Sequence, residues 1–137
     1  MDLEHQPATT RRFVEALHTL EREGDTDPLA GLTAADAEVV SIDGHGVRRG
    51  PEGTTELFRQ YRAQFDRLET EFTHLTGTDE RAALEWRTEG TLVDGRAVTY
   101  TGVTVIDLAG DEVSGIRICY DSAALLAPTP AGTATEG

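Results

Sequence analysis

Phe13, Leu17 and Leu20 recur with the period of one helix face, and Gly24 follows as a stop signal. The spacing predicts a helix starting at Thr9 or Thr10, either of which can cap it, and ending near Glu23. Asp27-Pro28 supply an N-cap and a first-turn proline for a short second helix closing near Leu32. Ala37 to Asp43 reads as a strand, broken by the turn Gly44-His45-Gly46. Pro51 opens a third helix, whose Leu57, Phe58, Tyr61 and Phe65 form a stripe facing a sheet. Beyond it the period falls from 3.6 to 2. Strands are predicted over 68–76, 81–92, 96–109 and 112–120, with turn signals at Gly77-Thr78-Asp79, Asp94-Gly95 and Gly110-Asp111. They compose an antiparallel meander, followed by a short helix from Asp121-Ser122 that ends before Pro128. Residues 1–8 are expected to fray, and 128–137 hold too little apolar content to order, which leaves one domain over 9–127. Helices followed by a curled antiparallel sheet predict an α+β sandwich, the helices covering one sheet face over a cone-shaped cavity.

Composition narrows the partners. Acidic residues outnumber basic ones 25 to 12 in a chain of 137, for a net charge of −13. The paired arginines Arg11-Arg12 and Arg48-Arg49 stand alone in that field, so neither nucleic acid nor an anionic membrane surface is expected to bind. All twelve basic residues are arginine, which excludes Schiff-base and lysine-nucleophile chemistry and suits a GC-rich bacterial genome. Cys119 is the single cysteine, the start MDLEHQPATT lacks a secretory pattern, and no apolar run approaches the ~20 residues that cross a bilayer. A cytoplasmic location is the expectation. His5, His18, His45 and His74 form no pair with metal-binding spacing, and no glycine-rich phosphate loop follows a parallel strand, so no metal or cofactor is expected.

Several segments carry a resemblance. They are AADAEVV at 34–40, the run Arg48-Arg49-Gly50-Pro51-Glu52-Gly53 leading to LFRQYRAQF, LEWRTEGTLVDGR at 84–96, GVTVIDLAGDEVSGIR at 102–117, and ICYDSAALL at 118–126. In order and spacing the chain resembles the SnoaL-like polyketide cyclase branch of the nuclear transport factor 2-like superfamily over 9–127. The resemblance implies a dimeric cone whose pocket lies between the helices and the concave sheet face, and it leaves the reaction open. Aligned with ketosteroid isomerases, the general-base aspartate falls on Ser41, the oxyanion tyrosine on Leu17 and its partner aspartate on Gly102. The chain is also similar to limonene epoxide hydrolases around VSGIRICYD, but there the last-strand aspartate falls on Ile118, and the preceding Arg-x-Asp corresponds to Glu85-Trp86-Arg87.

These alignments imply an inward set of Ser41, Asp43, Glu85, Arg87, Tyr100, Ile116, Ile118 and Tyr120. Leu84, Trp86, Val103 and Val105 then form an outward apolar patch that a second subunit would cover, making a homodimer. Amphipathicity alone gives the opposite parity, with Leu84 and Trp86 in the core and Glu85 and Arg87 a solvated pair worth about 0–1 kcal/mol. With the pair inside, Glu85 serves as acid/base and Arg87 stabilises a developing oxyanion. Asp43 is a candidate second carboxylate, set against a turn-capping role. Ser41, Leu57, Tyr61, Tyr100, Ile118 and Tyr120 are candidates to bind substrate, with His18 at the cone mouth. The resulting expectation is a cofactor-independent enzyme that isomerises or cyclises a small apolar, carbonyl-bearing, polyketide-like metabolite. An epoxide hydrolase and a non-catalytic ligand-binding dimer are the alternatives.

Overall fold

In the computed structural model, which describes residues 3–41 and 46–120, a 3-10 turn at Leu3–His5 leads into α1 (Ala8–Glu23). The turn at Leu3–His5 precedes the helix, and Leu3 packs against the core. Pro7 occupies the N-cap position, so neither Thr9 nor Thr10 caps. Instead the Thr9 hydroxyl donates 2.8 Å to the carbonyl of Gly110, pinning the start of α1 to a distant hairpin. Gly24 ends the helix in the left-handed region at φ 72°, its N–H reaching the Leu20 carbonyl at 2.8 Å.

α2 (Asp27–Leu32) runs directly into β1 (Thr33–Ser41), which begins four residues before Ala37. The buried Thr33 hydroxyl bonds the Leu29 carbonyl at 2.8 Å and the Thr54 hydroxyl at 3.0 Å, tying α2 to α3 (Gly50–Arg62). Between them lies β2 (Val47–Arg49), a three-residue edge strand that the periodicity did not signal. Phe65 does not continue the third helix. It opens β3 (Phe65–Gly77), where its ring is buried against the core and its carbonyl accepts from Arg62 Nη1 at 2.9 Å.

β4 (Arg81–Leu92), β5 (Ala97–Ala109) and β6 (Glu112–Tyr120) complete a curved, unclosed sheet of order β2-β1-β6-β5-β4-β3. β3 to β6 form the expected meander, but the sheet is mixed: β6 returns beside β1 in the parallel sense. Bulges at Phe65/Arg67, Phe72/His74 and Asp107/Leu108 bend the long strands. α1 and α3 cover the concave face. Phe13 and Leu20 from α1 and Leu57 and Phe58 from α3 meet Leu84, Ile106 and Ile116 of the sheet. Each such aliphatic side chain contributes about 1.5–3 kcal/mol by leaving water. Among the described residues no helix is long and apolar enough to cross a membrane. Asp43, His45, the helix expected from Asp121 and the tail lie outside the described residues.

Candidate active site

The turn between β4 and β5 decides which side chains reach the concave face. A two-residue Asp94-Gly95 turn would pair Val93 with Arg96 and place Trp86 beside Val103. The loop instead has three residues. Gly95 N–H donates to Leu92 O and Leu92 N–H to Arg96 O, both at 2.9 Å, with Gly95 at φ 93°. Trp86 therefore pairs with Gly102, Leu84 with Thr104 and Glu85 with Val103. Register partners share a face, so Leu84 and Trp86 cannot lie with Val103 and Val105.

This corrects two expectations. Leu84 and Trp86 sit in the core at 0% and 6% exposure, so the outward apolar patch loses both members that β4 would have supplied. Glu85 and Arg87 lie on the face of β4 opposite Leu84 and Trp86 and stay out of the aromatic interior, although Arg87 with Glu89 borders the space along α1 and β3. The Glu85 side chain is 55% exposed, 3.9 Å from His74 Nδ1, and Arg87 pairs with Glu89 along its own strand. Burying the indole and the Leu84 side chain removes far more apolar surface from water than the opposite parity would. Gly102 makes the indole's seat possible, because a Cβ there would come within 2.5 Å of the Trp86 ring and 2.6 Å of the Cys119 carbonyl. The indole N–H donates 2.9 Å to the Thr104 hydroxyl.

Around that indole the structure assembles three expected residues. Trp86, Tyr100 and Tyr120 lie within 5.7–6.2 Å of one another by ring centroid, and Tyr61 of α3 packs on Tyr120 at 5.9 Å. The Tyr61 and Tyr100 hydroxyls are hydrogen-bonded to each other. Burial pushes the Tyr61 phenol well above its ordinary range, and the negative charge that Tyr100, Tyr120 and Glu21 can carry adds to the rise. Burial raises Tyr100 as well, partly offset by its bond to Tyr61. Both phenols are thus proton donors at neutral pH. Ser41 and Ile118 are register partners one step along the same face, Ser41 buried and Ile118 half-buried, and Leu57 is buried on α3.

The structure adds a carboxylate that the sequence reading passed over. Glu21, on α1, is 8% exposed, and its Oε1 accepts the Thr70 amide at 3.0 Å. β3 is an edge strand, so this N–H has no neighbouring strand to bond, and the carboxylate takes that place. His18 Nδ1 lies 3.5 Å from the same oxygen, and its ring meets Phe72 edge-on at 5.7 Å. On the inner face the Thr70 hydroxyl bonds that of Thr88 at 2.6 Å, and Thr88 is the register partner of Tyr100. Glu21 is close enough that its charge raises both Tyr61 and Tyr100. The signal for Glu21 was present, since it follows Phe13, Leu17 and Leu20 on the apolar stripe of α1. A groove of about 460 Å³ between α1, α3 and β3 opens this carboxylate to solvent. Among the described residues no three His, Cys, Asp or Glu side chains gather as a metal site.

Known proteins with this architecture share its fold. A nuclear transport factor 2-like protein from Anabaena variabilis superposes with a TM-score of 0.77 at 18% identity, covering 85% of this chain and 89% of that one. An LEH-like epoxide hydrolase from M. tuberculosis gives 0.65 at 18% identity over 87% and 89%. TerC, co-crystallised with polyporic acid, gives 0.71 at 15% identity over 85% and 95%. At such identities the likeness establishes architecture alone. No functionally curated protein matches the sequence. The model of the SnoaL-like domain matches residues 10–116, so a helix-covered, curved sheet with an aromatic interior is here the fold of a member of the SnoaL-like domain family.

Proposed function

We propose that this protein is a cofactor-independent enzyme that moves a proton on an apolar, carbonyl-bearing metabolite, leading to isomerisation or ring closure. One observation carries the reading: a carboxylate only 8% exposed, Glu21, lies near enough to two phenols that keep their protons for its charge to act on both. Glu21 spends one oxygen on the Thr70 amide, which fixes its orientation and leaves the other to take a proton from carbon. As the C–H bond breaks, its electrons move into the carbonyl and the oxygen becomes an enolate. Tyr100, already bonded to Tyr61, donates to that oxygen and needs no reorganisation to do so. The proton returns from the Glu21 carboxyl to another carbon or to the ring-closing position. The neighbours support a small-molecule role: one is an epoxide hydrolase, and another was crystallised with polyporic acid. Epoxide opening by Glu85 and Arg87 draws no support from their place on the face of β4 opposite the aromatic interior.

The test is deuterium uptake at the α-carbons of 2-tetralone in D2O, followed by proton NMR, because it reads proton abstraction whatever the natural product. Wild-type protein should accelerate exchange above buffer, and Glu21→Gln, which still accepts the Thr70 amide, should lose about 10²–10⁴-fold. Tyr100→Phe should lose about 10²-fold. Glu85→Gln and Arg87→Ala should retain wild-type exchange. Exchange no faster than buffer, or unchanged in Glu21→Gln, refutes the proposal.

A further inference from the structure

The groove that opens onto Glu21 is ringed by arginines without acidic partners. Six arginines elsewhere, Arg48, Arg49, Arg81, Arg87, Arg96 and Arg117, each pair with a carboxylate within 4 Å. Arg22, Arg62 and Arg67 line this one groove, and among the described residues none of them forms such a pair. Among the described residues Arg11, Arg12 and Arg59 likewise form no such pair, and what distinguishes Arg22, Arg62 and Arg67 is that the three line one groove together.

Arg62 is also built into position. Its Nε donates 3.1 Å to the Glu21 carbonyl and its Nη1 2.9 Å to the Phe65 carbonyl. Two main-chain carbonyls orient the half-buried guanidinium while leaving its charge uncompensated, with Nη2 still able to donate. The Glu21 carboxylate is turned toward the Thr70 amide instead, and Asp66 and Glu69 stand exposed at the rim without pairing with any of the three. His18, Glu69 and Thr70 also line a second space of about 490 Å³ that continues along α1 and β3 past Val14, Phe72 and Leu75. The first space sets the three arginines beside the carboxylates of Glu21, Asp66 and Glu69, and the second adds the apolar side chains of Leu3, Val14, Phe72 and Leu75 among Glu15, Glu71, Arg87 and Glu89.

We propose that the ligand of this site is an apolar carboxylic acid, its carboxylate held by Arg62 with Arg22 and Arg67 and its hydrocarbon body lying along α1 toward Phe72. This rests on reading the Glu21 side of the interior as the ligand site. A bidentate guanidinium contact fits a planar carboxylate. The protein's net charge opposes indiscriminate uptake of anions, so a preference for an acid over its neutral analogue reports this cluster and not the whole surface.

The experiment is calorimetric titration of the full chain at pH 7 with 2-naphthoate and, separately, with its neutral analogue 2-naphthalenemethanol. Wild type should bind the acid at least about tenfold more tightly than the alcohol, the scale of one charge-assisted contact. The Arg22→Ser/Arg67→Ser double variant, which breaks no bond seen in the structure and leaves Arg62 in place, should lower that preference at least about threefold. Glu21→Gln should keep the preference or strengthen it, since it removes a negative charge from the groove. Equal affinities for acid and alcohol, no binding of 2-naphthoate at millimolar concentration, or a preference untouched in the double variant each overturns the proposal. Because Glu21→Gln separates the two readouts, lost anion preference with intact tetralone exchange refutes the ligand class alone. Intact preference with no exchange refutes the chemistry alone.

Discussion

Replacing Trp86 by alanine tests the parity of β4, on which the location of the site depends. The indole is 6% exposed, packs edge-on against Tyr100 at 5.7 Å and donates to the Thr104 hydroxyl at 2.9 Å. Truncation removes its burial and leaves a cavity under Tyr100 and Tyr120, a loss of about 3–5 kcal/mol. Out of a total of roughly 5–15 kcal/mol, that is about a fifth or more of the protein's stability. For a domain of this size it corresponds to roughly 10–20 °C in Tm. Trp86→Phe keeps most of the ring but strands the Thr104 hydroxyl, for a loss of about 1–2 kcal/mol. The neighbours on either side should behave differently. Glu85→Ala and Arg87→Ala remove exposed side chains whose ion pairs are worth about 0–1 kcal/mol, so each should stay within about 0.5 kcal/mol of wild type. Urea denaturation followed by far-ultraviolet circular dichroism gives the four values on one scale. A loss below about 1 kcal/mol for Trp86→Ala, together with more than about 2 kcal/mol for Glu85→Ala or Arg87→Ala, would refute the assigned orientation.

Two further expectations concern the same interior. Gly102→Ala should cost about 1–3 kcal/mol or more, measured by the same denaturation curves, because the new methyl would meet both the Trp86 ring and the Cys119 carbonyl below 3 Å; a neutral substitution would show that the indole does not lie over β5. Stability should also fall at high pH. Tyr61 and Tyr100 have folded pKa values above those of the unfolded chain, so the folded state holds their protons longer, and their contribution is complete below about pH 10 and is lost as the pH rises beyond it. Each retained proton gives a slope of about 1.4 kcal/mol per pH unit. With no lysine in the chain the window is nearly free of other titrations. Tyr100→Phe should therefore flatten the curve of stability against pH above 10, and a slope identical to wild type would contradict the burial argument.

Much of the architecture can be read from the residues. The 3.6-residue stripe of α1, the Asp27-Pro28 start of α2 and the change to period 2 after α3 each correspond to an element of the structure. Among the site residues, Tyr61, Tyr100 and Tyr120 were legible as large amphipathic side chains and do come together. Glu21 was not singled out because an acid at the end of an exposed helix usually meets water. Only the edge position of β3, whose Thr70 amide lacks a strand partner, gives that carboxylate a reason to be buried.

The orientation of β4 lay beyond local pattern for a definite reason. Alternation determines that Leu84 and Trp86 share one face and Glu85 and Arg87 the other, but not which face meets the helices. A shift of one residue in pairing reverses every side chain. That shift lives in the Val93-Asp94-Gly95 loop, where a third residue and a positive φ at Gly95 bring Trp86 opposite Gly102 instead of Val103. The chain by itself determined which elements form and which residues travel together along them. Tertiary packing alone decided which set became the interior, because the energy that selects the face comes from contacts between strands and helices that are distant in sequence.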